Sequence, residues 1–265
     1  MKTDQEIVTG QYRSAANLNA RIQLHQRFSV NHYGWQPWIF DQLDFPPQGR
    51  LLELGCGAGN LWLENLKRIP AGWEIILSDF SAGMLQQAQT NLAGRRDFKF
   101  KIVDANSLPL PFEDNYFDGV IANHMLYYIN DRPALLAEIR RILKPNGRFY
   151  CSTIGDNHIC ELNVLIAQLD AGLAAWDHAN NTFILENGAA QLAPFFSQVS
   201  LRRYEDALEV TEAAPLVAYI LSMFGGMDAF AGREDQIEQL IQSELASHGG
   251  AIHITKDSGI FICSR

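Results

Sequence analysis

The chain has 265 residues, a formal net charge of -9 at pH 7, 47% hydrophobic residues and 19% charged ones. Such a balance describes a folded protein, and its acidity argues against a broad nucleic-acid surface, which needs a concentrated positive field. No stretch approaches the roughly 20 apolar residues of a membrane span, and the opening MKTDQEIVTGQYRSAANLNAR lacks the apolar core of a signal peptide. The four cysteines (Cys56, Cys151, Cys160, Cys263) form no CxxC pair and read as buried thiols of a reducing compartment, so the expected location is cytoplasmic.

In chain order, residues 1–48 read as an N-terminal helical cap, with Leu18, Ile22, His25 and Phe28 on one face. Its end, NHYGWQPWIF (31–40), is rich in aromatic residues. Either it closes over a ligand, with Tyr33 or Trp35 walling an acceptor pocket, or it docks an aromatic stripe on the core. From residue 50 onward strands alternate with helices. Strands are expected at Leu51–Leu54, Trp73–Leu77, Phe98–Val103, Phe117–Ala122 and Arg148–Thr153. Ser81 caps a helix bearing Met84, Leu85, Ala88 and Leu92. Asp131 caps another bearing Leu135, Leu136, Ile139 and Ile142, halted by Pro145 and Gly147. This alternation means a parallel sheet with helices on both faces.

Strand order is hinted at as well. FKFKIVD and VSLRRY mix charged with apolar residues and suit sheet edges, whereas GIFIC (259–263) is continuously apolar and suits the interior. Residues 155–195 and 205–250 add helix that can cover the carboxyl end of the sheet, with APLVAYILSMF (214–224) either an apolar lid wall or a cover for the sheet.

LLELGCGAGNLW (51–62) sets Gly55, Gly57 and Gly59 directly after an apolar strand. A strand, a glycine turn and a helix start make a bed for a ligand that needs close backbone approach. Asp79 ends the next strand, where a carboxylate can take both hydroxyls of a ribose. Asp104 ends the third, where a second carboxylate can meet an adenine amino group. Singly, each acid also reads as an ordinary turn residue; together they point to an adenosine derivative. A dinucleotide site prefers G-x-G-x-x-G. Here the spacing is G-x-G-x-G with Glu53 just before it, which suits a ligand carrying an ammonium or sulfonium charge, so S-adenosylmethionine is favoured over NAD.

These motifs resemble the class I S-adenosylmethionine-dependent methyltransferases, in particular small-molecule enzymes with a menaquinone-biosynthesis-type core. LLELGCGAGNLW is similar to their first motif and IILSDFSAGML (75–85) to their second. DANSLPLPFEDNYFDGVIANHMLYYI (104–129) is similar to their adenine loop and fourth strand, and LKPNGRFY (143–150) to their fifth. The resemblance implies a seven-stranded, mostly parallel Rossmann-like α/β sheet of order 3-2-1-4-5-7-6. Strand 7 is antiparallel, and a helical lid is added. The methyltransferase domain then runs over 49–265, with lid insertions at about 155–195 and 205–250. It also implies roles. Glu53 and the backbone of Gly55, Cys56 and Gly57 hold the methionine portion, and Gly59 completes the turn. Asp79 takes the ribose hydroxyls, with Phe80 and Met84 packing the adenosine. Asp104 and the Ala105 amide meet adenine, and Asn123 sits near the sulfonium.

Methyl transfer is an in-line displacement in which the protein supplies proximity, alignment and a dry site. A base is needed only where the acceptor must lose a proton. His124 is either that base or a histidine packed against lid helices. Tyr127 and Tyr128 follow it; Tyr128 is the second catalytic candidate and Tyr127 a substrate contact. Tyr12 and Arg21 are candidates for the methionine carboxylate. No histidine and carboxylate cluster has metal-ligand spacing, so no metal is expected. The expected partner is a small-molecule methyl acceptor, not nucleic acid. Other chemistry with the same cofactor, or a non-catalytic cofactor-binding subunit, are the alternatives.

Overall fold

The computed structural model describes residues 15–94, 98–169, 182–223, 230 and 232–265. The strands are β1 (Gln48–Leu54), β2 (Gly72–Asp79), β3 (Lys99–Ile102), β4 (Phe117–Asn123), β5 (Leu143–Ile154), β6 (Gln198–Val210) and β7 (Ile252–Ser264). They form one sheet of order β3-β2-β1-β4-β5-β7-β6. β1 pairs in parallel with β2 and β4, and β7 runs antiparallel to β5. The charged strands β3 and β6 are the edges and the apolar C-terminal strand is interior, as the alternation of their residues implied.

The described helices are α1 (Ala15–Phe28), α2 (Trp35–Gln42), α3 (Asn60–Asn65), α4 (Ala82–Leu92), α5 (Arg132–Ile142), α6 (Cys160–Leu169), α7 (Leu185–Leu192), α8 (Ala213–Met223) and α9 (Glu234–Ser247). Two follow local chemistry closely. The Ser81 side chain accepts from the Met84 amide at the start of α4, and Asp131 accepts from Ala134 N at the start of α5. Their buried faces carry Met84, Leu85, Ala88 and Leu92, and Leu135, Leu136, Ile139 and Ile142.

The chain divides into two compact units. One comprises Tyr33–Asp156, Asn181–Tyr204 and Ser258–Arg265. It contains α2–α5 and α7 and has two apolar layers, split by the alternation of β7: Phe261 and Cys263 join one, Ile260 the other. In the first layer Arg132, at the start of α5, donates to Leu126 O at 3.0 Å, Gln191 Oε1 at 2.7 Å and Thr182 Oγ1 at 2.7 Å. Its guanidinium also lies over the Phe183 ring. Buried donors are thus satisfied and α7 is fixed.

The other unit comprises Met1–His32, Asn157–Asn180 and Glu205–Asp257, and contains α1, α6, α8 and α9. Its core gathers Leu24 and Phe28 of α1, Leu162 and Ile166 of α6, Leu216 and Ile220 of α8, and Ile237 and Ile241 of α9. Helix was expected over 205–250, but residues 205–210 are strand. Leu208 and Val210 are buried with Glu209 exposed between them, and Ile252 and Ile254 flank exposed His253 in the same way. That is a two-residue period, and it keeps both segments extended. Lys256 and Asp206 form a buried ion pair here, shared with the Ser29 hydroxyl.

Candidate functional site

The site is built at the carboxyl ends of β1, β2 and β4, within the sheet-bearing unit. β1 is flanked by β2 and β4, and its Leu51, Leu52 and Leu54 are buried. It ends at a turn in which Gly55, Gly57 and Gly59 have φ of 69°, 54° and 77°. L side chains rarely adopt that region. The Cys56 amide donates to Ser78 O at 2.9 Å and the Gly57 amide to Asp79 Oδ2 at 2.9 Å, binding the turn to β2. The glycines differ in purpose. A Cβ at Gly59 would stand 3.0 Å from Leu92 Cδ1, so Gly59 admits α4. A Cβ at Gly57 would meet only Met84 Cε, at 3.7 Å. Gly57 is therefore set by backbone conformation rather than crowding.

The two strand-end acids are held by backbone. Asp79 is buried; its Oδ1 accepts from Ser81 N at 2.9 Å, and its Oδ2 serves Gly57. Burial raises its pKa, opposed by the amides of Ser81, Gly57 and Phe80. Phe80 beside it is 44% exposed, while Met84 is buried. Asp104 accepts from Asn106 N and Ser107 Oγ, both at 2.9 Å. Asn106 in turn donates to Tyr128 O at 3.3 Å and accepts from Asn130 N at 2.9 Å, which ties this loop to the segment after β4. Ala105 is buried.

Glu53 is the unusual group. Only 3% exposed, it accepts from Trp62 Nε1 at 2.6 Å and from Asn123 Nδ2 at 3.2 Å. Burial pushes its carboxyl up to about 7 despite those two donors, with the Asp79 charge adding to the rise. Among the described residues no Lys, Arg or His forms an ion pair with it. A buried carboxylate lacking a cation beside a glycine turn fits a positively charged ligand. These residues therefore suit the S-adenosylmethionine expected from the sequence. A sulfonium and an ammonium both supply the missing charge.

Past β4, His124 has φ of 49°, and its amide donates to both O and Oγ of Ser152, each at 3.1 Å. Its ring lies 5.1 Å from that of Trp35 on α2. Trp35 stacks on Trp38 at 5.3 Å and meets Tyr204 edge-on at 5.3 Å, so α2 brings an aromatic wall to the end of β4. Trp38 and Tyr204 were missed in the sequence, as was Ser152. Tyr33 is exposed and donates to Asp41 Oδ2 at 2.6 Å. Tyr127 and Tyr128 meet edge-on at 4.5 Å. Arg21, in the helical unit, donates to Ser222 Oγ at 3.2 Å and Ser222 O at 2.7 Å. Tyr12 lies outside the described residues. Among the described residues no cluster of His, Cys, Asp and Glu could hold a metal ion, and no helix is long and apolar enough to cross a membrane.

Residues 52–151 match the family described as a methyltransferase domain. A demethylmenaquinone methyltransferase from Symbiobacterium thermophilum is 34% identical over 122 residues, 44% of this chain and 48% of that protein. A 2-phytyl-1,4-naphtoquinone methyltransferase from Trichormus variabilis is 36% identical over 128 residues, 48% of this chain and 56% of the relative. The matched region thus spans about half the length of these relatives. Among solved structures, Haemonchus contortus phosphoethanolamine N-methyltransferase 2 in complex with S-adenosyl-L-methionine has a TM-score of 0.62 at 17% identity. That match covers 100% of this chain and 60% of the other. The YcgJ protein of Bacillus subtilis has a TM-score of 0.56 at 18% identity, covering 87% and 97%. At such identities the likeness is one of fold.

Proposed function

We propose that this chain, whose residues 52–151 are a class I S-adenosylmethionine-dependent methyltransferase domain, methylates a small, planar, hydroxylated aromatic molecule such as a quinol. The observation that carries the reading is the buried Glu53 carboxylate, without an ion-pair partner among the described residues, beside the Gly55–Gly59 turn, with Asp79 and Asp104 at the two strand ends that follow. The bound cofactor supplies an activated methyl group on a sulfonium. The chain's own residues do the rest. Glu53 and the turn amides hold the methionine end, Asp79 the ribose hydroxyls, and Asp104 with the Ala105 amide the adenine, against Phe80 and Met84. Asn123, which donates to Glu53, would face the sulfonium end of the cofactor. These residues would align the acceptor with that methyl group and exclude water from the site. The acceptor's proton goes to His124, and Tyr128 is the second residue proposed to act on the acceptor.

The quinol class is supported by the names of the two relatives and by the aromatic wall of Trp35, Trp38 and Tyr204 beside His124. Tyr33 and Tyr127 complete the proposed acceptor contacts. Four free thiols support a reducing, cytoplasmic setting, and the charge of -9 supports an acceptor other than nucleic acid. Incubation with methyl-labelled S-adenosylmethionine and a panel of reduced quinones and catechols tests the reading. Label should appear in an aromatic product one methylene heavier. Turnover of the cofactor without a methylated product would instead indicate other chemistry.

A further inference from the structure

Ser152 on β5 is fully buried, and its one hydroxyl meets two groups of the site. It donates to Asn123 Oδ1 at 3.1 Å and accepts from the His124 amide at 3.1 Å. A serine hydroxyl has one proton, so giving it to Oδ1 decides which way the Asn123 amide faces. Nδ2 then donates to Glu53 Oε1, while Trp62 holds the other carboxylate oxygen. One chain of hydrogen bonds therefore runs from β5 through β4 to the buried charge on β1. The same oxygen helps hold His124 in a left-handed conformation, φ 49°, that L residues rarely adopt.

We infer that Ser152 is a positioning residue for cofactor binding: through Asn123 it orients the Glu53 carboxylate, and through the His124 amide it sets the end of β4. This inference rests on the proposed cofactor site. Without Ser152, Asn123 is free to turn its carbonyl oxygen toward Glu53, which would replace a donor by a like-charged dipole. The charged form of Glu53 then loses support. The titratable neighbours facing Glu53 are Asp79 and Cys56, and neither is touched by the substitution.

The test is calorimetric titration of the purified chain with S-adenosylmethionine and S-adenosylhomocysteine from pH 5.5 to 8.5, using wild type, Ser152→Ala and Thr153→Val. Thr153 is the control, because its buried hydroxyl on the same strand serves Phe183 O at 2.7 Å and not the site. Ser152→Ala should weaken cofactor binding about tenfold, the scale of one buried hydrogen bond. The pH below which affinity falls should also move upward. Thr153→Val should lower only the melting temperature. Wild-type affinity and an unshifted profile in Ser152→Ala overturn the inference. Absence of binding by the wild type instead overturns the cofactor site itself. Should Ser152→Ala fail to fold, Ser152→Cys keeps the volume with a weaker donor. A smaller loss in the same direction is expected, and unchanged binding again refutes the role.

Discussion

The carboxylate of Asp79 stands 2.9 Å from the Gly57 amide, so the acid at the end of β2 holds the glycine turn at the end of β1. Its other oxygen takes the Ser81 amide at 2.9 Å, at the start of α4. One side chain thus links both sides of the proposed adenosine site. Asp79→Asn replaces an acceptor by an NH₂ group facing a donor. The turn should loosen, with stability lower by about 1–3 kcal/mol, the scale for a buried polar group left unmatched. S-adenosylmethionine affinity should fall at least tenfold. Denaturant melts and calorimetry on the same preparation separate the two effects.

Glu53 gives a pH dependence of definite sign. Its carboxyl is raised from the ordinary 4.5 to about 7. Between those values the folded protein holds a proton that the unfolded chain has released. Its contribution to stability therefore falls as pH rises through that window. A cationic ligand favours the ionised form, so affinity for S-adenosylmethionine should rise with pH up to and just beyond about 7, and binding near pH 6.5 should release a proton. Calorimetry in buffers of different ionisation enthalpy measures that proton. Glu53→Gln should abolish both its release and this part of the stability profile.

The glycines separate conformation from crowding. Gly59→Ala meets Leu92 and a φ of 77°, and should destabilise the fold by roughly 2–3 kcal/mol, a left-handed penalty with overpacking added. Gly57→Ala meets an ordinary contact and a φ of 54°, and should cost only about 1–2 kcal/mol. Its larger effect should be on cofactor binding. Thermal melts beside binding curves for the two variants test this division.

His124 sits at φ 49°, a conformation asparagine also tolerates. His124→Asn therefore keeps the backbone and removes the imidazole. On a phenolic acceptor kcat should fall about 100-fold or more with cofactor affinity unchanged, as expected on losing a general base. A rate unchanged at every pH would leave His124 a packing partner of Trp35.

Much of the fold was readable because its signals are local. The Ser81 and Asp131 caps need only a few residues each. The edge positions of β3 and β6 follow from alternating charge, and the interior position of β7 from GIFIC. The extension of β6 to Val210 does not stand out as strand in the sequence, because Glu205, Asp206 and Glu209 break the apolar pattern and only Leu208 and Val210 are buried there. In the site, Glu53, Asp79 and Asp104 stand out beside glycines and strand ends. Ser152 does not, since a lone serine in an apolar strand carries no signal until β4 and β5 are paired. The register sets Asn123 directly opposite Ser152. Trp62, nine residues after Glu53, is likewise invisible as a partner until the turn folds the start of α3 back on β1.

The proposed role of the Gly55–Gly59 turn and Asp79 is to bind S-adenosylmethionine. Calorimetric titration of the wild type and Asp79→Ala with S-adenosylmethionine, S-adenosylhomocysteine and NADH tests it most directly. The first two ligands should bind saturably, their binding should be lost in the variant, and NADH should not bind. Binding of NADH alone would contradict it and assign Asp79 to a dinucleotide ribose.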